Sequence, residues 1–249
     1  MVATQGLVLH TTKYGESSLI AKIFTRELGL CSYMVKGIRS PKGKTKQNLL
    51  QPLSHLDMVV YNNAKHDLQY VKDMHPAAHY SNTMGNSIKM ALLFFMDEVL
   101  YKSLKEDEPN VPLFDYVVNE LLNIDSASHE ELSNTPIEFL LHVSRHLGIE
   151  PMNNYSVREP YFNLKEGRFL SAPSVYAANS DANVDYMLDV NASSSLHSVL
   201  ECSMSHSAFP HLSMAGRRST LNNLLEYYHI HLPDFRNFTS HQVLHAVLR

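Results

Sequence analysis

Polar and apolar residues alternate with a period close to two over the first 80 positions of the chain. Such alternation, in runs rich in β-branched and aromatic residues, is typical of half-buried β-strands. Glycine and asparagine turn signals separate five predicted strands, at residues 7–9, 19–24, 33–35, 56–61 and 68–71. Five short strands without an intervening helix favour a small Greek-key barrel such as an OB-fold, although an SH3-like barrel would give the same pattern.

The period becomes helical after residue 80, where apolar residues recur at spacings of three and four. Helices are predicted at several places: over 88–100, from Val111-Pro112 onward, over 221–228, and in a last short segment capped by Thr239. The pattern is weak between 151 and 215, which are rich in Ser, Asn and Ala. The predicted fold class is therefore α+β, with a five-stranded barrel over 1–80 and a mostly helical domain over 81–249.

A further helix, near residue 140, carries the clearest start and stop signals. Thr135 is the expected N-cap, Pro136 the first helical residue, and Glu138 the partner of Thr135 in a capping box. Gly148 is the expected end, because glycine adopts the left-handed conformation that often terminates a helix.

Composition excludes several classes of protein. The chain has 249 residues, of which 44% are apolar, so it can bury a sizeable core. Its longest apolar run, 90–96, is far shorter than the roughly 20 residues of a membrane span. Two cysteines cannot form a disulfide framework, and the first ten residues lack the features of a signal peptide. The expected location is the cytoplasm, without membrane association.

The charge is distributed unevenly along the chain. Residues 1–80 carry ten Lys and Arg against five Asp and Glu, whereas 81–150 carry four against twelve, and the remainder is nearly neutral. This asymmetry indicates two modules with different electrostatic roles.

The strongest candidate site is the segment 36–46, which holds five basic residues and no acid. Glycine and proline within it predict a loop between the third and fourth strands, and a cationic loop on a barrel can follow a phosphate backbone without reading sequence. A solvated surface loop would have the same composition. The residues expected to contact DNA are Lys13, Arg26, Tyr33, Lys36, Arg39, Lys42, Lys44 and Lys46; Phe24 could add a ring and Lys22 a charge.

Other chemistries find little support. The segment from Gly37 to Thr45 has one residue too many for a phosphate-binding P-loop, and no helix is predicted after it. Cys202, His206 and His211 have plausible metal-ligand spacing but lack a fourth ligand, and His142 and His146 lack the glutamate of a protease-type site. No spacing identifies a catalytic triad or a nucleophile elbow. We expect no enzymatic activity, no cofactor and no metal.

Several short stretches together resemble a known family. They are Val8-Leu9-His10, Tyr14-Gly15-Glu16-Ser17-Ser18-Leu19, Phe24-Thr25, Gly29, Lys36-Gly37-Ile38-Arg39 and Leu50-Gln51-Pro52, followed near the end by Leu224-Leu225-Glu226-Tyr227-Tyr228. In this order they are similar to the RecO family of bacterial DNA repair proteins, which act as recombination mediators.

The resemblance implies an OB-fold on a helical domain, non-specific binding of single- and double-stranded DNA, and annealing of complementary strands. It also implies that the protein acts together with RecR and with the tail of single-strand-binding protein, and that it thereby helps to load RecA. Because that tail is acidic and ends in apolar residues, a cationic pocket is expected for it, with Arg145, Arg217 and Arg218 as candidates.

The chain departs from the family in one respect. Many members carry a four-cysteine zinc module in the C-terminal half. Here the one cysteine in residues 151–215 is Cys202, so the module is expected to be a zinc-free remnant. Residues 161–169 are expected to form its hairpin, packed through apolar and aromatic side chains.

Two other functions remain open from sequence. The basic barrel could recruit an acidic protein partner without touching nucleic acid, or residues 151–215 could hold the cofactor site of an enzyme.

Overall fold

The computed structural model describes residues 1–38, 47–63, 65–105, 108–172, 184–205 and 209–247. Two compact units can be distinguished. The first comprises Met1–His129 with Ser240–Val247, and the second comprises the described residues between 130 and 239. The helices over 87–103, 111–126 and 240–247 thus belong to the same unit as the strands before residue 80. The division into domains at residue 80 remains a prediction.

Five strands form a closed barrel at the start of the chain, as the alternation predicts. They are β1 (Val2–Tyr14), β2 (Ser18–Thr25), β3 (Gly29–Val35), β4 (His55–Tyr61) and β5 (Leu68–Pro76). Their order around the barrel is β1-β2-β3-β5-β4, with β3 and β5 parallel and the other pairs antiparallel. This is the OB-fold, which the sequence predicted together with the SH3-like alternative.

Alternate side chains of each strand fill the barrel, because successive side chains point to opposite faces of a strand. The interior residues include Val8, Ala21, Ile23, Tyr33, Val35, Leu56, Met58 and Val60. Gly6 belongs to this face, and a Cβ there would lie 2.6 Å from Ile23 Cγ2 and 2.9 Å from Met58 Sδ. Each fully buried aliphatic side chain contributes roughly 1.5–3 kcal/mol, so this interior is a main source of stability.

Helix α1 (Ser87–Ser103) and helix α2 (Val111–Ser126) follow the barrel. Asn86 caps α1, since its side-chain oxygen accepts hydrogen bonds from the backbone N–H groups of Ile88 and Lys89. Pro112 lies in the first turn of α2, as predicted. On the barrel side, the Phe114 ring lies 5.5 Å from that of Phe24.

A carboxylate fixes the segment that leads from the barrel into α1. Asp125 Oδ1 accepts hydrogen bonds from the backbone N–H groups of Asn82 and Thr83 and from the Thr83 hydroxyl, at 2.7–3.0 Å. The buried Lys89 ammonium donates to the Asp125 carbonyl at 2.7 Å. Because charge-assisted bonds are stronger than neutral ones, these contacts tie α1 to the end of α2.

The second unit contains α3 (Thr135–His146), α4 (Val190–Ser205), α5 (Met214–His231) and a hairpin of β6 (Tyr161–Asn163) and β7 (Arg168–Leu170). The last helix of the chain, α6 (Ser240–Val247), packs on α1 in the first unit. Within the described residues, no helix is both long enough and apolar enough to cross a membrane.

The two ends of α3 give opposite results for the sequence prediction. The N-cap is Asn134 and not Thr135, and it makes no side-chain cap hydrogen bond, so the predicted capping box is wrong. The C-terminal prediction is confirmed. Gly148 has φ +72°, its N–H donates to Arg145 O, and the Ile149 N–H donates to Ser144 O, which is the Schellman pattern.

Candidate nucleic-acid interface

Two exposed tyrosines lie side by side on the outside of the barrel. Tyr61 of β4 is 49% exposed and Tyr70 of β5 is 42% exposed, and the two are direct cross-strand partners. The row continues through Met34 on β3, paired with Tyr70, to Ile20 on β2, paired with Met34. Paired residues share a face of the sheet. Of this row, Tyr61 and Tyr70 are exposed, whereas Ile20 is half-buried and Met34 is buried.

A cation lies over one of these rings. Lys36 follows β3 directly, is exposed, and places its Nζ 4.8 Å from the centroid of the Tyr70 ring. This distance lies within the range of a cation–π contact. We call Tyr61, Tyr70 and Lys36 the tyrosine face. It combines ring surfaces for stacking with a positive charge for phosphate, as single-strand-binding surfaces do.

Other basic residues of the barrel have different surroundings. Lys13 on β1 and Lys72 on β5 are exposed. Lys22 on β2 is half-buried, with its Nζ 5.7 Å from the centroid of the Tyr101 ring of α1. Arg39, Lys42, Lys44 and Lys46, which the sequence analysis placed in the DNA-binding loop, lie outside the described residues.

Tyr33 has no exposed surface. Its side chain is 0% exposed inside the barrel, with Cys31 and Val35 on the same face of β3. A ring in this position cannot stack on a base, so the prediction for Tyr33 is wrong. Phe24 is also fully buried, against α2. Tyr70 and Tyr61 supply the exposed rings instead.

Arg26 is held by carboxylates of its own chain. Its Nε lies 2.8 Å from Asp115 Oδ1 and its Nη2 lies 2.9 Å from Asp115 Oδ2, so the pair is bidentate. Glu27 lies 3.3 Å from Nη1. The hydrogen bonds that Arg26 donates to Asp115 lower the pKa of Asp115, and the bonds that it donates to Asp115 and Glu27 raise its own pKa. A phosphate would have to replace these bonds, so Arg26 is a poor DNA contact in this conformation.

A second part of the barrel surface is unsuited to DNA because it carries several carboxylates. A groove of about 460 Å³ is lined by residues of β1, β4, β5 and the turn between β2 and β3. Its charged residues are Glu27, Asp57 and Asp73, with Arg26 as the one Lys or Arg among the described lining residues. The imidazole of His75, also on its wall, lies 3.1 Å from Asp73 Oδ2. This acidic groove would repel a phosphate backbone, which leaves the tyrosine face as the better DNA surface of the barrel.

The three arginines predicted to bind a protein tail do not form one pocket. Arg145, near the end of α3, bonds Glu150 at 2.7 and 2.9 Å, and these bonds raise its pKa. Arg217 donates to the Leu212 carbonyl at 3.0 Å, and Arg218 is exposed. Tyr227 of α5 bonds the Ile149 carbonyl near Arg145, but Arg217 lies ten residues earlier, about 15 Å along the helix axis.

The hairpin that the sequence predicts over 161–169 is packed by aromatic rings. In the β6–β7 hairpin, Phe162 and Phe169 are fully buried. Outside the hairpin, Tyr155 stacks on His197 with ring centroids 4.2 Å apart. Cys202 is half-buried and His211 exposed, while His206 lies outside the described residues. Among the residues that are described, no three His, Cys, Asp or Glu side chains form a metal-binding group.

Sequence reasoning missed Tyr61, Tyr70 and Lys72 as candidate contacts. The alternation within β5 could have identified Tyr70, because it puts the Tyr70 side chain on the other face of the strand from Gln69 and Val71. Only the register between strands shows that Tyr70 lies beside Tyr61 and beneath Lys36.

Comparison with known proteins agrees with this architecture. The family profile described as "Recombination protein O N terminal" matches residues 1–80, and "Recombination protein O C terminal" matches 84–175. The chain is 30% identical to the DNA repair protein RecO of Christiangramia forsetii over 99% of both chains. It is 29% identical to those of Phocaeicola vulgatus, over 97% of this chain and 96% of the relative, and Flavobacterium johnsoniae, over 99% and 98%. These matches span nearly the whole sequence, and the chain therefore belongs to the RecO family of DNA repair proteins.

Proposed function

We propose that the protein binds single- and double-stranded DNA without sequence preference through its barrel, anneals complementary strands and helps to load a recombinase onto coated single strands. The observation that carries the proposal is the tyrosine face, in which Lys36 lies over the ring of Tyr70 beside the exposed Tyr61. Stacking is tolerant of sequence because every base has a π-face, and phosphate contacts carry no sequence information.

Annealing follows from the same contacts by electrostatics and involves no bond-making in the DNA. Two strands repel each other because both are polyanions. A cationic face lowers that repulsion and raises the local concentration of strands. Because the contacts are weak and non-specific, a bound strand can shift until it meets its complement. The basic segment 36–46 would extend this surface beyond the described residues.

Partners are proposed from the family. RecR and the acidic tail of single-strand-binding protein are the expected protein partners, and RecA would be affected indirectly, in the cytoplasm. Of the three candidate cations for the tail, Arg218 is exposed, whereas Arg145 and Arg217 bond groups of their own chain. If triple replacement of Arg145, Arg217 and Arg218 by Ala leaves the affinity for a tail peptide unchanged, these residues do not bind the tail.

The first experiment is fluorescence anisotropy of labelled single-stranded oligonucleotides of unrelated sequence, titrated with the protein at several salt concentrations. Binding that weakens steeply with salt, equally for each sequence, is the expected result. Absence of binding at low salt would contradict the proposal and favour the alternative, a protein-interaction module that recruits an acidic partner through the barrel.

A matched pair of charge reversals tests the tyrosine face in the same assay. Lys36→Glu removes the cation over Tyr70 and is expected to weaken binding of all sequences alike, by about tenfold, since it replaces a phosphate-attracting charge by a repelling one. Lys165→Glu is the control, because Lys165 lies over Tyr186 in the second unit, 5.7 Å from the ring centroid. Equal losses from both variants would show that only net charge matters.

A further inference from the structure

A second group of rings and a cation lies where the barrel meets α1. His10 of β1 is exposed, and the centroid of its imidazole ring lies 5.0 Å from that of the half-buried Tyr101 of α1, with the ring planes inclined by 31°. Lys22 of β2 places its Nζ 5.7 Å from the centroid of the same tyrosine ring. These distances lie within the ranges of ring stacking and of cation–π contact. We call His10, Lys22 and Tyr101 the imidazole cluster.

The strand register puts the imidazole cluster on the outer face of the barrel. His10 and Lys22 are direct cross-strand partners, and paired residues share a face of the sheet. Lys22 lies two residues along β2 from Ile20, which is paired through Met34 with Tyr70. The outer face of one sheet therefore carries both the tyrosine face and the imidazole cluster.

The separation between the two places suits a single bound strand. On the sheet, Lys22 and Tyr70 are two strand spacings and two residues apart. With a strand spacing of about 4.8 Å and a rise of about 3.4 Å per residue, this corresponds to roughly 12 Å. An OB-fold holds about 4–16 nucleotides of single-stranded DNA, so a strand that stacks on Tyr70 is long enough to meet Lys22 as well.

Exposed side chains continue along β1 from His10 to the end of the strand. Thr12 and Tyr14 follow His10 at alternate positions and are both exposed, Tyr14 by 51%. Alternate residues of a strand lie on one face, so these side chains share the outer face with His10. This part of the barrel surface is open to solvent, and a bound strand can therefore reach the imidazole ring.

The imidazole ring is held in place before anything binds. Tyr101 lies against it, so a base that stacks on the exposed part of the ring costs little ordering. The carboxylate of Glu98, three residues before Tyr101 on α1, has partners of its own. Its Oε2 accepts a hydrogen bond from the Ser240 N–H at 2.7 Å, and the Lys102 Nζ lies 3.7 Å from its Oε1. The charge of Glu98 is therefore balanced by Lys102.

We propose that the imidazole cluster is a second nucleotide subsite, in which a base of single-stranded DNA stacks on His10 and the adjacent phosphate meets the Lys22 ammonium. The proposal rests on the proposed function of the barrel in DNA binding. It gives α1, which belongs to the acidic part of the sequence, a role in that binding, because Tyr101 positions the imidazole ring. Since the bases of a duplex are stacked on one another, the subsite favours single-stranded over double-stranded DNA.

The test compares the affinities of the full-length protein for an oligothymidylate and for a duplex of equal length, both measured by anisotropy. His10→Ala is expected to lower the single-strand affinity by about fivefold or more, as the loss of one stacked base does, and to leave the duplex affinity unchanged. His10→Phe keeps a ring and should restore the single-strand affinity. His129→Ala, at an exposed histidine of the same unit outside the barrel strands, is the matched control and should change neither affinity.

A second pair of variants tests the phosphate contact. Lys22→Met removes one cation and should make the slope of log single-strand affinity against log salt less negative by about 0.7. Lys165→Met removes a lysine at the same distance of 5.7 Å from a tyrosine ring, that of Tyr186 in the second unit, and should leave the slope unchanged. Urea denaturation checks that all variants are folded.

Photo-crosslinking of the unaltered protein locates the bases directly. An oligothymidylate that carries iodouracil at a single position is irradiated in the complex, and the crosslinked peptides are identified by mass spectrometry. We expect crosslinks to His10 or Tyr101 in addition to those to Tyr70.

Three results would overturn the second subsite and leave DNA binding by the barrel standing. They are a His10→Ala protein that binds single strands like the unaltered one while Tyr70→Ala binds them more weakly, equal losses of single-strand and duplex affinity in His10→Ala, and crosslinks confined to Tyr70. Failure of the unaltered protein to bind either form of DNA would instead contradict the proposed function itself, and the subsite with it.

Discussion

Tyr70 is the side chain on which the proposed DNA face depends most. Its ring is exposed on the outside of the barrel, is covered on one side by the Lys36 ammonium, and is paired across the strands with Tyr61. An exposed ring on a rigid strand can stack on a base with little ordering cost. In the proposed complex, the cation beside it would attract the phosphate of the same nucleotide.

Replacement of this ring should reduce DNA affinity with little effect on stability. Tyr70→Ala is expected to lower the affinity for single-stranded DNA by about 5- to 150-fold, which corresponds to roughly 1–3 kcal/mol for one stacked base. Tyr186→Ala removes the equivalent ring from the Lys165 contact and should leave affinity unchanged. Anisotropy gives the affinities, and urea denaturation checks that both variants are folded. A Tyr70→Ala protein that binds like the unaltered one would refute stacking at this position.

The buried carboxyl group of Asp97 leads to a prediction about how the free energy of unfolding depends on pH. Burial, with the nearby Glu98 charge, raises the pKa of this carboxyl group on α1 to about 8. The folded protein then holds the proton up to about pH 8, whereas the unfolded chain releases it near pH 4. Unfolding between these values releases a proton, so the free energy of unfolding should fall as pH rises from 4 to 8.

Asp97→Asn keeps the shape of the side chain without the ionisation. We expect it to flatten the pH dependence of the free energy of unfolding over this window and to be more stable than the unaltered protein at pH 8. Urea denaturation at a series of pH values measures both effects, with Asp234→Asn on an exposed loop as the control for the chemical change. An unchanged slope in Asp97→Asn would assign the pH dependence to another group.

The helix ends show where local sequence signals succeed. Asn86 and Asn110 each cap a helix through a side-chain hydrogen bond, and Gly148 ends α3 in the left-handed conformation. The sequence predicted Gly148 correctly, because glycine is favoured there for reasons local to the chain. It placed the N-cap of α3 one residue too late, since both Asn134 and Thr135 are residues that can cap a helix.

Asn86 and Asn134 offer a matched comparison, because both are N-cap residues but only Asn86 makes side-chain cap hydrogen bonds. Asn86→Ala removes two cap hydrogen bonds and is expected to cost about 1 kcal/mol of stability, within the range measured for N-cap residues. Asn134→Ala removes a side chain that makes no cap bond and should cost much less. Urea denaturation followed by circular dichroism compares the two variants. Equal losses would mean that the cap bonds of Asn86 contribute nothing.

Helix α4 shows where element prediction fails. Its buried residues Ser193, Leu196, Val199 and Leu200 have helical spacing, but the serines and asparagines around them dilute the apolar signal. Ser193 is buried because its hydroxyl accepts a hydrogen bond from the Phe162 backbone N–H of the hairpin. A polar residue satisfied by a distant partner cannot be distinguished from a surface residue in the sequence.

At the scale of the whole molecule, charge distribution decides which surfaces can meet DNA. The N-terminal third of the sequence is basic, but the barrel divides its charges into the tyrosine face and the acidic groove. Arg26 is close in sequence to other basic residues, yet it bonds Asp115 of α2. Net charge therefore indicated a nucleic-acid partner without indicating the surface.

The basic segment can be tested through its salt dependence. If it meets about four or five phosphates, the logarithm of single-strand affinity should fall with log salt at a slope of roughly −3 to −3.5. Reversal of Lys42, Lys44 and Lys46 to Glu should weaken binding to all sequences alike and should make the slope less negative by about 2, since each lost phosphate contact accounts for about 0.7. Loss of binding to one sequence only would contradict non-specific recognition.

The sequence by itself determined the five strands, most of the helices, the change of period near residue 80 and the family. These features depend on the alternation, spacing and order of residues along the chain. Tertiary structure alone decided that Tyr33 faces the interior, that Arg26 bonds Asp115, and that Tyr61, Tyr70 and Lys36 meet on one surface. The physical reason is that these arrangements join elements that are distant in sequence. Strand register and barrel closure bring such elements together, and neither can be read from local patterns.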